Sequence, residues 1–143
     1  MLEAVIVVGL FALIVGVSVP TLYKTFQNYR AQTAIERISM NLRFARLSAV
    51  KKRIFYRVVI DDSNDTYQIQ MNESKDGVTW ARYTNADTSM PDDNLDILAG
   101  GITQITYNPR GAANTSGTIR VQSTDYIHRI NVFTSGAVTK QIE

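Results

Sequence analysis

Residues 4–23, AVIVVGLFALIVGVSVPTLY, are twenty side chains without a charge, bounded by Glu3 and Lys24. A helix of that length covers about 30 Å, the thickness of a bilayer hydrocarbon core. A secretory signal peptide would start basic and stop sooner at a small-residue cleavage site, whereas this run starts with an acid. A buried soluble helix of this length would need a larger surrounding domain than the remaining residues can build. Residues 1–23 therefore read as a membrane-inserting segment, with Val5, Val8, Leu10, Phe11, Leu13 and Ile14 supplying apolar surface. The segment has interruptions that a simple anchor does not need. The Glu3 carboxylate wants a cation or a hydrogen-bond donor once its helix packs among others, and Lys24 lies about 30 Å away along a helix, so the partner must come from another chain. Pro20 lacks a backbone donor and is expected to kink or melt the helix near Gly16 to Pro20. Gly9 and Gly16 would let neighbouring helices approach closely.

The helical pattern continues over residues 24–53 with no Gly or Pro after Pro20. Ile35, Ile38, Leu42, Ala45 and Ala49 follow 3- and 4-residue spacing and draw one apolar stripe, which Met40, Phe44 and Leu47 are expected to widen. A helix from about residue 2 to residue 53 would be about 75 to 80 Å long. No domain of this size can bury that length, so the first half must project while the second packs on a sheet.

From Ile54 the periodicity changes to short β-rich runs punctuated by turn residues. Strands are expected near 54–61, 67–73, 102–108, 117–123, 126–133 and 137–141, with turns at 62–65, 74–77, 108–111, 114–117 and 135–136. The polar stretch 83–96, which contains Pro91, reads as a loop. The predicted class is α+β, a long N-terminal helix joined to an antiparallel β-sheet domain over residues 54–143.

Composition narrows the chemistry. The 143 residues contain 45% hydrophobic side chains, enough for one domain plus an appendage. The absence of cysteine removes disulfides, thiolate metal sites and thiol nucleophiles. Fifteen basic residues against thirteen acidic ones leave little net charge, but the two signs are segregated. Between residues 21 and 60 only Glu36 opposes a basic series, while residues 61–100 carry a run of aspartates against Lys75 and Arg82. Such blocks can attract one another between neighbouring copies, or simply mark a solvated helix followed by acidic loops.

No catalytic constellation is visible. His128 is the only histidine and sits in an alternating strand, so neither a metal site nor a nucleophilic pair can be assembled from it. Asp61, Asp62, Asp92, Asp93 and Asp96 do not have the spacing of a calcium loop and read as solvated loop charge. Nucleotide-binding and nucleophile-elbow motifs are missing, so no enzyme activity, metal or cofactor is expected. Arg110, Arg120, Arg129 and Lys140 are the candidate phosphate or partner contacts.

With these residues in view, the chain resembles the type IV pilin-like superfamily. Members begin with an apolar helix carrying a glutamate and, seventeen residues on, a proline, the separation of Glu3 and Pro20. Asn41, Leu42, Ala45, Arg46, Ala49 and Val50 resemble the helical segment of the GspH/FimT branch, and Tyr107-Asn108-Pro109-Arg110-Gly111 resembles its turn. Gly117-Thr118-Ile119 and the segment 130–136 match further.

The resemblance implies a pilin-like fold and a structural subunit, a pseudopilin or pilin, of a type II secretion pseudopilus or a type IV pilus. It would be held in the bacterial inner membrane by one span, with its domain on the periplasmic side, before assembling with its own or other pilin-like subunits. The positive-inside rule applied to Lys24 and Arg30 alone would instead place the domain in the cytoplasm; a basic leader ahead of Met1 would reverse that. The resemblance further implies a prepilin peptidase, an assembly machinery and a Glu3 matched by a neighbour's terminal amine. Two residues precede Glu3 where the family has four, and the family's leader is not in the sequence. Some FimT-type members bind DNA through an arginine after a C-terminal glycine, which makes a filament-tip DNA receptor the alternative. Here Gly136 is followed by Ala137, Val138, Thr139 and Lys140.

Overall fold

The structure, a computed structural model, describes residues 2–74, 78–83, 88–89, 95–123 and 127–142, with the side chains of residues 2, 4–5, 15–23, 27, 88–89 and 142 outside that description. Helix α1 (Leu2–Lys52) is followed by β1 (Phe55–Asp61), β2 (Thr66–Asn72), β3 (Ala81–Arg82), β4 (Thr88–Ser89), β5 (Asp96–Leu98), β6 (Gln104–Tyr107), β7 (Gly117–Gln122), β8 (Ile127–Val132) and β9 (Val138–Ile142). The helix is continuous through Gly16 to Pro20, so the local melting expected there does not occur. It stops where Arg53 takes a left-handed conformation, with Lys51 and Lys52 in the last turn beside the carbonyl end of the helix dipole.

The β part is two antiparallel sheets rather than one. The first runs β3-β2-β1-β6, with β4 also on β2, and the second runs β5-β7-β8-β9. The stretch 83–96 read as loop, most of which lies outside the described residues, contains β4, and β5 begins at its last residue, between the expected loop and the expected strand at 102–108. Its alternation of buried Leu95, Ile97 and Ala99 with exposed Asp96 and Leu98 is a half-buried strand signature. Asp62 and Asp65 are not merely solvated. Their carboxylates accept the backbone N–H groups of Ala99 and Ile97, tying the β1–β2 turn of one sheet to an edge strand of the other.

Helix α1 packs on both sheets. Ala31, Ala34, Ile35, Ile38, Leu42, Ala45 and Ala49 are buried against inward residues such as Tyr56, Val58, Ile105, Ile119 and Ile130. Burial of each large aliphatic side chain contributes about 1.5–3 kcal/mol, and the alanines let the sheets come close. Met40 and Leu47, however, are 65% and 68% exposed. Successive residues turn 100° around a helix, which places both nearly opposite the Ile38–Leu42 stripe. They form a second face and do not widen the first.

Polar contacts fix the rotation of the helix. Asn41 Nδ2 donates to Tyr67 Oη at 2.7 Å on the first sheet. Arg46 sits at the stripe's edge and donates from Nε to the Gly111 carbonyl at 3.0 Å and from Nη2 to the Ser135 carbonyl at 3.2 Å. The two turns that supply these carbonyls are joined by the Ala113 N–H bond to the Thr134 carbonyl. Asn108 shapes the first, its side-chain oxygen accepting from the N–H groups of Arg110 and Ala112. Glycine is required at both contact points. Gly111 and Gly136 have φ of 83° and 78°. A Cβ on Gly136 would lie 2.0 Å from the Gly111 carbonyl oxygen and 2.8 Å from Arg46 Nε.

His128 lies on the inner face of β8 with 1% exposure, and among the described residues neither ring nitrogen has a hydrogen-bond partner. Burial lowers its pKa from the ordinary 6.5, because the charged ring loses its hydration.

Two measurements check this packing. Gly136→Ala should destabilise the fold by about 2–4 kcal/mol in urea unfolding, from steric and left-handed backbone strain together. Combined with Arg46→Ala the cost should be less than additive, because the clash and the hydrogen bonds share one junction. As for His128, the unfolded ring protonates first when pH falls, so stability is full above the ordinary histidine value and declines below it. Unfolding midpoints at about pH 7.5 and about pH 5.5 should differ, and His128→Leu should flatten that slope.

Candidate assembly surface

The first half of α1 leaves the domain bare. Ile6, Val7, Val8, Leu10, Phe11, Leu13 and Ile14 are between 49% and 71% exposed. Ile6, Val7, Leu10, Phe11 and Ile14 line a shallow and almost wholly apolar groove on one side. Soluble monomers rarely leave so much contiguous apolar surface in water, which marks it as a surface made to be covered. Covering these side chains would contribute on the order of 10 kcal/mol per chain before the cost of ordering is subtracted. Because helices are apolar on several sides here, more than one neighbour can be accommodated at once.

Glu3 lies exposed in the first turn, where the helix dipole favours a carboxylate. Among the described residues no atom stands within 4 Å of the position a Cβ would take on Gly9, so none of them demands a glycine there. That space is open to a neighbouring backbone. The packing expected of Val5, Gly16 and Pro20 lies outside the described side chains, as does the second half of the uncharged run 4–23. Among the described residues, no helix is long and apolar enough to cross a membrane.

The four basic residues singled out in the sequence do not converge. Arg120 and Arg129 are register partners on β7 and β8, and both point to the outer face of the second sheet. Lys140 is the register partner of the inward Ile130 on β9, so it lies on the opposite face, where its Nζ pairs with Glu36 of α1 at 3.1 Å. Arg110 is exposed on the turn after β6. No single positive groove gathers them.

The residue that sequence reasoning passed over as a contact is Arg46. An arginine on the border of an apolar helical stripe, with an Asn-Pro-Arg-Gly turn and a Ser-Gly turn farther along, is the available signal. Only the fold reveals that all three meet. Trp80 stacks against the Arg57 guanidinium at 4.2 Å and packs on the outer face of the first sheet.

The comparisons with known proteins agree with this architecture. Among curated proteins no sequence match is found. Solved structures match closely in shape. The minor pseudopilin EpsH of the Vibrio cholerae type 2 secretion system superposes with a TM-score of 0.65 at 14% identity, covering 79% of this chain and 97% of EpsH. The type IV minor pilin FimU of Pseudomonas aeruginosa superposes with a TM-score of 0.64 at 19% identity, covering 82% and 90%. At such identities the likeness concerns the fold. The family model described as type II transport protein GspH matches residues 34–136, from the buried helical stripe to the Ser-Gly turn that Arg46 grips. The chain thus belongs to the GspH family, and its α+β architecture is that of the pilin-like proteins.

Proposed function

We infer that this protein is a structural subunit of a pilin-like filament, a pseudopilin or pilin, which associates with other pilin-like chains. The observation that carries the reading is the contrast within one helix. Ala31, Ala34, Ile35, Ile38, Leu42, Ala45 and Ala49 are buried by the domain, while the apolar side chains between Ile6 and Ile14 are left without cover. Membership of the GspH family supplies the class of assembly.

The finer account is as follows. Before assembly, the uncharged run 4–23 spans the inner membrane once and the domain lies on its outer side. On extraction the run exchanges lipid for the helices of neighbours, a transfer that costs little because both surroundings are apolar. Val5, Val8, Leu10, Phe11, Leu13 and Ile14 form the packed core. Gly9 and Gly16 permit close approach, and Pro20, which has no backbone donor, stands where the helix leaves that core. Glu3, carried into an apolar environment, is matched by the terminal amine of the adjacent chain, which orders the register of addition. A prepilin peptidase and an assembly machinery act on the chain before it is built in.

The DNA-receptor alternative has no observation in its favour. Phosphate binding draws on several cations in one stripe, and Lys140 is engaged with Glu36 on the face opposite Arg120 and Arg129.

Two substitutions separate the membrane step from the assembly step. Glu3→Ala should leave membrane fractionation unchanged and reduce incorporation into filaments about tenfold or more, since it removes only the buried ion pair. Normal incorporation would contradict the pairing. Leu10→Asp should abolish stable membrane insertion, a charge at mid-span costing about 3 kcal/mol.

A further inference from the structure

The motif Asn-x-Ser/Thr, whose asparagine can accept an oligosaccharide in a chain that has left the cytoplasm, occurs at Asn64-Asp65-Thr66, Asn72-Glu73-Ser74 and Asn114-Thr115-Ser116. The fold separates them. Asn72 closes β2 with 0% exposure, so a sugar on its side chain would have to leave through the core. Asn114 is exposed, but its side-chain oxygen accepts the Thr106 N–H at 2.7 Å and its own N–H donates to the Thr106 carbonyl at 2.9 Å, holding it against the edge of β6. Asn64 stands at the tip of the β1–β2 hairpin, exposed together with Asp61, Asp62 and Ser63.

Sequence and geometry agree at Asn64. Asp62 lies two residues ahead of it, where the other two motifs have Gln70 and Ala112. A carboxylate at that place is part of the extended motif that bacterial oligosaccharyltransferases read, giving the enzyme a charge to pair with as well as the Thr66 hydroxyl. Asn64 Nδ2 carries two hydrogens. One is donated to Asp61 Oδ2 at 2.7 Å, which leaves the other for replacement, so a substituted nitrogen keeps its bond to the turn. Beside the turn, Asn64 and Thr66 border a polar hollow of about 530 Å³ that also takes in Gln68, Arg82 and Thr103. Amide, guanidinium and hydroxyl groups of this kind suit the hydroxyls of a first sugar.

We propose that Asn64 is an N-glycosylation site, the acceptor of an oligosaccharide carried on a polyprenyl diphosphate. The amide nitrogen attacks the anomeric carbon of the first sugar, and a C–N bond forms as the C–O bond to the diphosphate breaks. The displaced proton passes to a base of the enzyme and polyprenyl diphosphate leaves, with no change of oxidation state. The proposal rests on the reading that places the domain on the outer side of the membrane, where such transfer takes place. A glycan at this tip keeps other chains from closing over it, so the β1–β2 turn faces outward in any assembly.

The test uses the full chain, produced in bacteria that carry an asparagine-linking oligosaccharyltransferase and its lipid-linked donor. A five-residue copy of the extended motif is appended at the C-terminus as reference. Tryptic peptides are read by fragmentation mass spectrometry, because the peptide of residues 58–75 carries both Asn64 and Asn72. One oligosaccharide should appear on Asn64 and none on Asn72 or Asn114, and Asn64→Gln should remove it. Asp62→Asn retains an acceptor for the Ala99 N–H. It should lower occupancy about tenfold through the loss of one charge pair, whereas Thr66→Ser should keep the site filled. Sugar on Asn72 or Asn114 in place of Asn64, equal occupancy in Asp62→Asn, or a bare Asn64 while the appended motif is filled, would overturn the site and leave the outer-side reading standing. If the appended motif is bare as well, the outer-side reading itself fails, and the site with it.

Discussion

The molecule is governed by the mismatch between a helix of 51 residues and a domain that can cover less than half of it. At about 1.5 Å per residue the rod is about 77 Å long, while the two sheets grip it from Ala31 to Ala49. Of what remains, the apolar side chains between Ile6 and Ile14 are bare. A chain with this surface has only two stable surroundings, lipid or other helices, and the protein's role as an assembling subunit follows from that limit.

The domain is built to hold the rod in a fixed attitude. Sheet one reaches it through Tyr67 and Asn41, and the turns after β6 and β8 reach it together through Arg46. The guanidinium donates to backbone carbonyls that no side chain could replace, and it fits only because Gly111 and Gly136 have no Cβ. Asp62 and Asp65 then tie the sheets to each other. A rod anchored from both sheets cannot rotate independently, so the face it presents to neighbours is set by the domain.

Much of the architecture was legible because hydrophobic period speaks directly to geometry. The length of the helix, the buried stripe from Ile35 to Ala49 and most of the strands follow from spacing within a few residues. The split into two sheets did not, since which strand pairs with which depends on contacts far apart in sequence. Strand β5 escaped because its three residues lie in a polar setting and only Leu95, Ile97 and Ala99 betray it. Met40 and Leu47 were assigned to the wrong face because an apolar residue signals burial, and both stand exposed on the far side of the helix. The clamp at Arg46 was invisible for the same reason as the sheet order: its partners are the carbonyls of residues 111 and 135. The family resemblance marked several of these residues without giving their physical task.

The central claim is that the apolar side chains of residues 6–14 have no place to go within their own chain. The full protein, purified in detergent and then diluted below the micelle threshold, can be followed by sedimentation velocity. The account predicts loss of the monomer boundary into large assemblies or pellet. A sharp, stable monomer in plain buffer, with the backbone amides of residues 6–14 slow to exchange as though packed on the domain, would contradict it.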